Sequence, residues 1–231
     1  DKAGIVHASI GKSSFKEDVI KVYPRKSIEK QTVVVESDWS SASYFYSIVA
    51  LAKIGSEIKL SAYKHESLQG DSCLADIYTH FGVNTIFGHD FITLKKVRVT
   101  TPTPLELDLK SAPDIAQTIA VTCFAEGIRC DLKGLHTLKI KETDRLEALK
   151  AELKKLGATI SVTNTSLHLE KSSAIHKNIS ITTYNDHRMA MAFAPLAFRV
   201  PIIILNAEVV SKSYQKFWTD MEQIGMVTKE L

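Results

Sequence analysis

The sequence predicts an α/β (α+β) protein of repeated βαβαββ units, with mixed sheets and helices packed in the core. Three series of markers predict it. Gly82, Gly157 and Gly225 each end a helix-like segment, at intervals of 75 and 68 residues. Glycine stops a helix because it accepts the left-handed conformation without steric cost. Gly55, Gly127 and Arg199 lie 72 residues apart each time, and each follows an apolar helix and precedes a strand-like run. Asp38, Asp114 and Asp186 each follow a β-like run and open a helix. Three independent markers with nearly one period indicate an internal repeat.

The elements follow in order. Residues 1–4 read as the tail of a second helix, and 5–23 as the hairpin after it. The unit that owns this hairpin is expected upstream, so the chain reads as cut from something longer. The first copy opens with a strand over 32–36 and a helix from Asp38. The middle copy is complete: strand 105–109, helix 114–125, strand 128–132, helix 143–156, and a hairpin of 159–162 with 167–170. Leu146, Leu149, Leu153 and Leu156 fall on one face of the second helix, at steps of three, four and three. That apolar face requires a shared core, so the copies should pack together. The last copy has a strand over 179–183 and a helix from Asp186, and ends just after Gly225 with no hairpin of its own.

Composition removes several function classes. Hydrophobic residues are 45% and charged residues 24%, which leaves ample material for a core and argues against long disorder. A net charge of +3 is too small to indicate nucleic acid. The basic stretch 150–155 is interrupted by Glu152 and reads as a solvated helix face. Cys73, Cys123 and Cys130 form no C-x-x-C pair, so no metal site or disulfide framework is expected, and a reducing compartment is. The apolar run 44–52 is far short of the roughly 20 residues that span a bilayer. No membrane association is expected, and no basic-then-apolar leader opens the sequence.

Charged residues concentrate at helix starts. Lys141-Glu142-Thr143-Asp144-Arg145 opens the leucine-striped helix, where free N–H groups and the helix dipole favour anions. Arg145 can grip phosphate or carboxylate with two parallel hydrogen bonds, and Glu142 can carry a proton. Capping acids with i,i+3 or i,i+4 pairs would explain the same residues. Tyr184-Asn185-Asp186-His187-Arg188 opens another helix and places His187 and Arg188 in its first turn, where a cation opposes the dipole. Such a placement needs an anion or an acidic partner; a surface pair with Asp186 as cap is the other reading. Asp114 after Pro113, and Asp38 before Ser40 and Ser41, both fit capping. Lys212, beside Ser211, is expected at the start of the last helix. Trp39 and Trp218 read as packing residues. Because equivalent starts of a repeat tend to lie at one end of a domain, these groups suggest a positive mouth for phosphorylated or carboxylated metabolites.

At these motifs the sequence resembles a known family. D-W-S-S-A-S-Y-F (38–45), S-L-Q-G-D (67–71), P-D-I-A-Q-T-I-A (113–120), K-E-T-D-R-L (141–146), Y-N-D-H-R-M-A-M (184–191) and S-K-S-Y (211–214) resemble the C-terminal region of the 5-enolpyruvylshikimate-3-phosphate synthases. The resemblance runs over essentially the whole chain. It implies the enolpyruvyl transferase fold, two domains of three βαβαββ units with the active site between them. It further implies that residues 1–36 are the tail of the N-terminal domain and 37–231 most of the C-terminal domain, without its last hairpin.

The implied reaction is transfer of enolpyruvyl from phosphoenolpyruvate to the 5-hydroxyl of shikimate 3-phosphate, with release of phosphate, in a cytoplasmic, monomeric enzyme that needs no cofactor or metal. By matching motifs, Asp114 resembles the carboxylate that orients and deprotonates the attacking hydroxyl. Glu142 resembles the carboxyl beside the methylene carbon. Lys141 and Thr137 resemble shikimate 3-phosphate contacts, Thr137 standing where many relatives carry Asn. Arg145, Arg188 and Lys212 resemble the clamp for phosphoenolpyruvate, with His187 beside it, and Lys212 shares in proton transfer. The family's N-terminal Lys-Ser and Arg contacts, its Gly-containing segment and its Ser-Ser-Gln have no counterpart, so this chain holds about half a site and is expected to be inactive alone. Two rivals remain. The enolpyruvyl transferase acting on UDP-N-acetylglucosamine shares the architecture but lacks the K-E-[ST]-D-R signature and uses an upstream Cys. A non-catalytic anion-binding domain is the rival from another class.

Overall fold

In a computed structural model, the structure describes residues 34–229 together with Ala8–Ser9, Lys21–Val22, Lys30 and Thr32. The chain divides into two compact units, Asp1–Val35 and Glu36–Leu231. In the first unit β1 (Ala8–Ser9) and β2 (Lys21–Val22) pair antiparallel, with Ala8 opposite Val22. The rest of the hairpin expected over 5–23, and the helix tail over 1–4, lie outside the described residues.

The second unit follows the repeat. Its first copy runs α1 (Trp39–Leu51), β3 (Glu57–Ser61), the short α2 (Leu74–Ile77), β4 (Val83–Phe87) and β5 (Phe91–Lys96). The middle copy runs β6 (Leu105–Asp108), α3 (Ala116–Glu126), β7 (Cys130–Lys133), α4 (Arg145–Lys155), β8 (Ile160–Val162) and β9 (Leu167–Leu169). The last runs β10 (Ile179–Ile181), α5 (His187–Phe193), β11 (Ile202–Ile204) and α6 (Phe217–Gln223). The sheets repeat as well. β3, β5 and β4 pair antiparallel in that order, as β7, β9 and β8 do. β6 lies parallel to β7, as β10 lies parallel to β11. The four-stranded sheet is therefore mixed, as expected.

One expected strand is not formed. Residues 34–36 carry no strand, and Val34 and Val35 are exposed. Only Ser37 reaches the place where a parallel neighbour of β3 would end, donating its N–H to Ala62 O at 2.7 Å and its hydroxyl to Ser61 O at 3.0 Å.

Helices α1, α3 and α5 form the centre. Twelve of the thirteen residues of α1 are buried, and only Ser41 reaches partial exposure. A helix that is buried all round needs small and hydroxyl residues where helices meet. Ser43 meets Thr118 at 3.0 Å and Thr122 donates to Ser47 at 2.8 Å, tying α1 to α3. Large side chains such as Phe124, Phe193 and Phe217 fill the remaining space, each contributing roughly 1.5–3 kcal/mol by burial. Asp38 caps α1 through the amides of Ser40 and Ser41. Trp39 is a packing residue, 1% exposed, its ring N–H donating to Glu36. The leucine stripe of α4 is buried as the spacing predicts, and Gly157, at φ 102°, ends its last turn.

Glu152 corrects the sequence reading. It is 0% exposed instead of lying on a solvated face. Its carboxylate is satisfied by Tyr184 OH at 2.7 Å, the Thr182 amide at 3.0 Å and Lys155 Nζ at 2.6 Å.

Candidate active site

The starts of α3, α4 and α5 carry most of the expected site residues. Asp114 sits in a 3-10 turn, Pro113–Ile115, that leads into α3. It caps nothing: the turn's N-cap is Ala112, and no side chain caps it or α3. Its carboxylate instead faces three cations. Oδ1 is 3.1 Å from Arg145 Nη1 and 3.4 Å from Lys141 Nζ, and Oδ2 is 3.3 Å from Arg188 Nη2.

Arg145 is the hub. It is the first residue of α4, with Asp144 as N-cap, and is 1% exposed. A guanidinium at that depth is tenable only when its donors are met by acceptors of opposite charge. Nε donates to Asp186 Oδ2 at 2.7 Å, Nη2 to Glu142 Oε2 at 2.6 Å and Asp186 Oδ1 at 3.3 Å, and Nη1 to Asp114. Three carboxylates thus share one arginine. Lys141 and Glu142 precede α4 in a turn instead of lying within the helix.

Arg188 is the second residue of α5. Its amide is capped by Asp186 Oδ1 at 2.8 Å, so Asp186 serves both as cap and as partner of Arg145. His187 lies beside this pair. Its Nδ1 is 3.7 Å from Glu142 Oε1 and has no hydrogen-bond partner among the described residues. The expected positive mouth is therefore corrected. Lys141, Arg145 and Arg188 are matched by Asp114, Glu142 and Asp186, because cations at helix starts oppose the dipole and need acidic partners.

The same surroundings shift the ionisations. Burial pushes the Asp114 carboxyl up, but Arg188, Lys141 and Arg145 together hold it below the usual carboxylate range. Burial lowers His187 and favours its neutral form, against the opposing pull of Asp186. Asp71 was not singled out from the sequence as a site residue. Burial raises its carboxyl while Ser40, in the first turn of α1, hydrogen-bonds to it. Gly70, next to Asp71, packs so closely on the backbone before Asp114 that a Cβ would stand 2.1 Å from Ser111 O. Only glycine permits that approach. Residues 67–71 therefore lie between the starts of α1 and α3.

Two expected residues lie apart. Thr137 is in the 3-10 turn His136–Ile140, which packs on the turn of Asp114, and its buried hydroxyl has no partner among the described residues. Lys212 ends the 3-10 turn Ala207–Lys212 instead of starting the last helix, which begins at Phe217. Its ammonium donates to Asn185 O and Oδ1, both at 2.8 Å, next to the cluster but not within it.

The sequence profile of the EPSP synthase (3-phosphoshikimate 1-carboxyvinyltransferase) family matches residues 7–221. The chain belongs to the EPSP synthase family. A 3-phosphoshikimate 1-carboxyvinyltransferase of Bacteroides fragilis is 43% identical over 198 residues, which cover 84% of this chain and 48% of that protein. One from Histophilus somni is 34% identical over 201 residues, 86% of this chain and 45% of that protein. The chain thus spans about half the length of these relatives. Among solved structures, EPSP synthase of Acinetobacter baumannii superposes with a TM-score of 0.71 at 22% identity, over 84% of this chain and 47% of that one. The enolpyruvyl transferase NikO of Streptomyces tendae gives 0.60 at 17% identity, over 84% and 44%. At such identities these structures establish the enolpyruvyl transferase fold for this EPSP synthase family chain. No described helix is long and apolar enough to cross a membrane.

Proposed function

We propose that this chain supplies one wall of an active site that transfers enolpyruvyl from phosphoenolpyruvate to the 5-hydroxyl of shikimate 3-phosphate and releases phosphate. The observation that carries the reading is the sharing of Arg145 by Asp114, Glu142 and Asp186. A simple anion receptor would leave its guanidiniums free for the ligand. Here Lys141, Arg145 and Arg188 are each already bridged by a carboxylate, an arrangement suited to moving protons beside an anionic substrate.

In the proposed reaction Asp114 orients the attacking hydroxyl and accepts its proton. Arg188, Lys141 and Arg145 hold it ionised at neutral pH. The hydroxyl oxygen bonds to C2 of phosphoenolpyruvate while C3 gains a proton, giving a tetrahedral intermediate. Glu142 is assigned to C3: starting protonated, it delivers that proton and later takes one back as the C2–O bond to phosphate breaks, and the departing phosphate takes up the proton that Asp114 accepted. Lys141 and Thr137 would hold shikimate 3-phosphate. Arg145, Arg188, His187 and Lys212 would hold phosphoenolpyruvate, Lys212 also sharing in proton transfer. Residues 1–36 would end the N-terminal domain and 37–231 form most of the C-terminal one, in a cytoplasmic enzyme.

Half of the contacts would come from the complementary N-terminal portion. The test is to assay phosphate release by the 231-residue chain alone and after joining it to that portion. Release that needs both substrates and appears only in the joined protein is expected. Each missing charge-assisted contact is worth on the order of 1.5–3 kcal/mol, so several together silence the isolated chain. A joined, folded protein that releases no phosphate would sink the reading.

A further inference from the structure

We propose that Glu152 is a positioning residue for the candidate site: from α4 it holds the 182–186 turn in the shape that presents Asn185 to Lys212 and Asp186 to Arg145. This deepens the proposed function and rests on it for the roles of Lys212 and Arg145.

Tyr184 and Asn185 both have positive φ, 54° and 57°. Two successive side-chain-bearing residues in the left-handed region cost energy and persist only when their surroundings over-determine them. Helix α4 supplies the surroundings at two points. Arg145, at its first turn, holds Asp186. Glu152 lies seven residues later, two turns along the same face. It holds the other side of the turn through Tyr184 OH at 2.7 Å and the Thr182 amide at 3.0 Å. Lys155 completes the grip, bonded to Glu152 at 2.6 Å and lying 3.3 Å from Ser180 O.

Between the two anchors the turn exposes the Asn185 carbonyl and side-chain oxygen, and both accept from Lys212. Directly after it, Asp186 caps the Arg188 amide. One buried carboxylate thus governs the shape on which one lysine and two arginines depend. A carboxylate that is 0% exposed and spends both oxygens on one turn costs desolvation, and holding this turn explains its presence. The acidity of Tyr184 agrees: burial, with Glu152 as its acceptor, pushes its hydroxyl up to about 12, so it remains a donor at neutral pH.

The test uses amide exchange by NMR on the 231-residue chain, read at the Arg188 amide and the Arg145 Nε–H. Glu152→Gln keeps the shape but removes the charge and leaves one acceptor oxygen where the Thr182 amide, Lys155 and the Tyr184 hydroxyl now share two. Ile92→Val, a core truncation in another sheet, controls for lost stability alone. Expected is exchange about tenfold faster at both probes in Glu152→Gln than in Ile92→Val, compared at equal distance from the unfolding midpoint. Equal exchange in the two variants overturns the proposal. If Glu152→Gln fails to fold, Tyr184→Phe removes only the hydroxyl, and it too must accelerate both probes or the proposal falls. Titrating the unsubstituted chain, and the protein joined to its N-terminal portion, with phosphoenolpyruvate separates the two claims. Faster exchange with no ligand response in either protein keeps the positioning role and removes the functional reading.

Discussion

The two ends of the three-helix core both bury charge, and they do so in opposite ways. At the exit end, a cleft is lined by Leu51 at the end of α1, Ala52 after it, Glu126 at the end of α3 and Arg199 after α5. There Lys96, 4% exposed, donates to Ala50 O at 2.5 Å and Phe81 O at 2.6 Å, and Arg199 pairs with Glu126 at 2.5 Å. Cations at helix C-termini complement the dipole and satisfy carbonyls that the helix leaves open. At the entry end, Arg188 sits in the first turn of α5 and Arg145 reaches in from the first turn of α4, both against the dipole. Nothing about helix stability asks for them there, and three carboxylates are needed to hold them. The exit end is charged because the fold requires it, and the entry end in spite of the fold.

That contrast predicts two separable phenotypes. The largest effect belongs to the entry end. In the protein joined to its N-terminal portion, Glu142→Gln should lower single-turnover rate by about 10²–10⁴-fold and leave binding of both substrates largely intact. The Glu142 side chain is 39% exposed, and Arg145 keeps Asp114 and Asp186 without it, so the unfolding midpoint should barely move. Normal turnover would return the entry end to a merely structural status. The exit end should behave inversely. Lys96→Ala strips two carbonyls of their donor and should cost about 1–3 kcal/mol of stability, measured by denaturant unfolding of the isolated chain. Substrate binding by the folded joined protein should be unchanged. A loss of binding without a loss of stability would break the comparison.

The repeat made the fold legible. Helix starts at Asp38 and Asp186, stops at Gly127 and Gly157, and the hairpin of β8 and β9 lie where the spacing puts them. The strand over 32–36 was misread because Val and Thr runs signal a pleated surface and say nothing about a neighbour to pair with. The site was legible as a set of residues but not as a network. Asp114 looked like a cap, and only packing shows it facing three cations. Lys212 read as part of a clamp, but its hydrogen bonds to Asn185, 27 residues away, left no sequence signal. Glu152 was hidden among lysines, since a partner 32 residues away in sequence leaves no periodic trace.

A third cluster, away from both ends, gives the smallest prediction and a check on the first two. On the four-stranded sheet Ser166, His168 and Asp131 form a hydrogen-bonded row, at 2.9 Å and 2.5 Å, with Arg129 closing it at 2.8 Å. The order suggests a nucleophilic triad, but Ser166 is buried and its hydroxyl is also bonded to Thr163 at 2.7 Å. The nearby amides of Thr163 and Thr165 are spent on Ser166 O and Thr163 Oγ1. A nucleophile needs an open approach and free donors for the developing oxyanion, so this row holds β7 to β9 and does no chemistry. Its electrostatics then follow from stability alone. The hydrogen bond from His168, with Arg129, holds the Asp131 carboxyl below the usual range. A depressed carboxyl contributes stability that is complete above its unfolded pKa, about 3.9, and is lost as pH falls through the folded value. Arg129 is half exposed, so screening limits the gain to below about 1 kcal/mol. Asp131→Asn should therefore unfold slightly more easily at pH 6 than the unsubstituted chain. The two should converge as the pH is lowered below about 3, while phosphoenolpyruvate binding by the joined protein stays the same. An offset that persists unchanged at low pH would mean that Asp131 acts through shape and not charge, and altered binding would mean that the entry end is not the only place where charge serves the reaction.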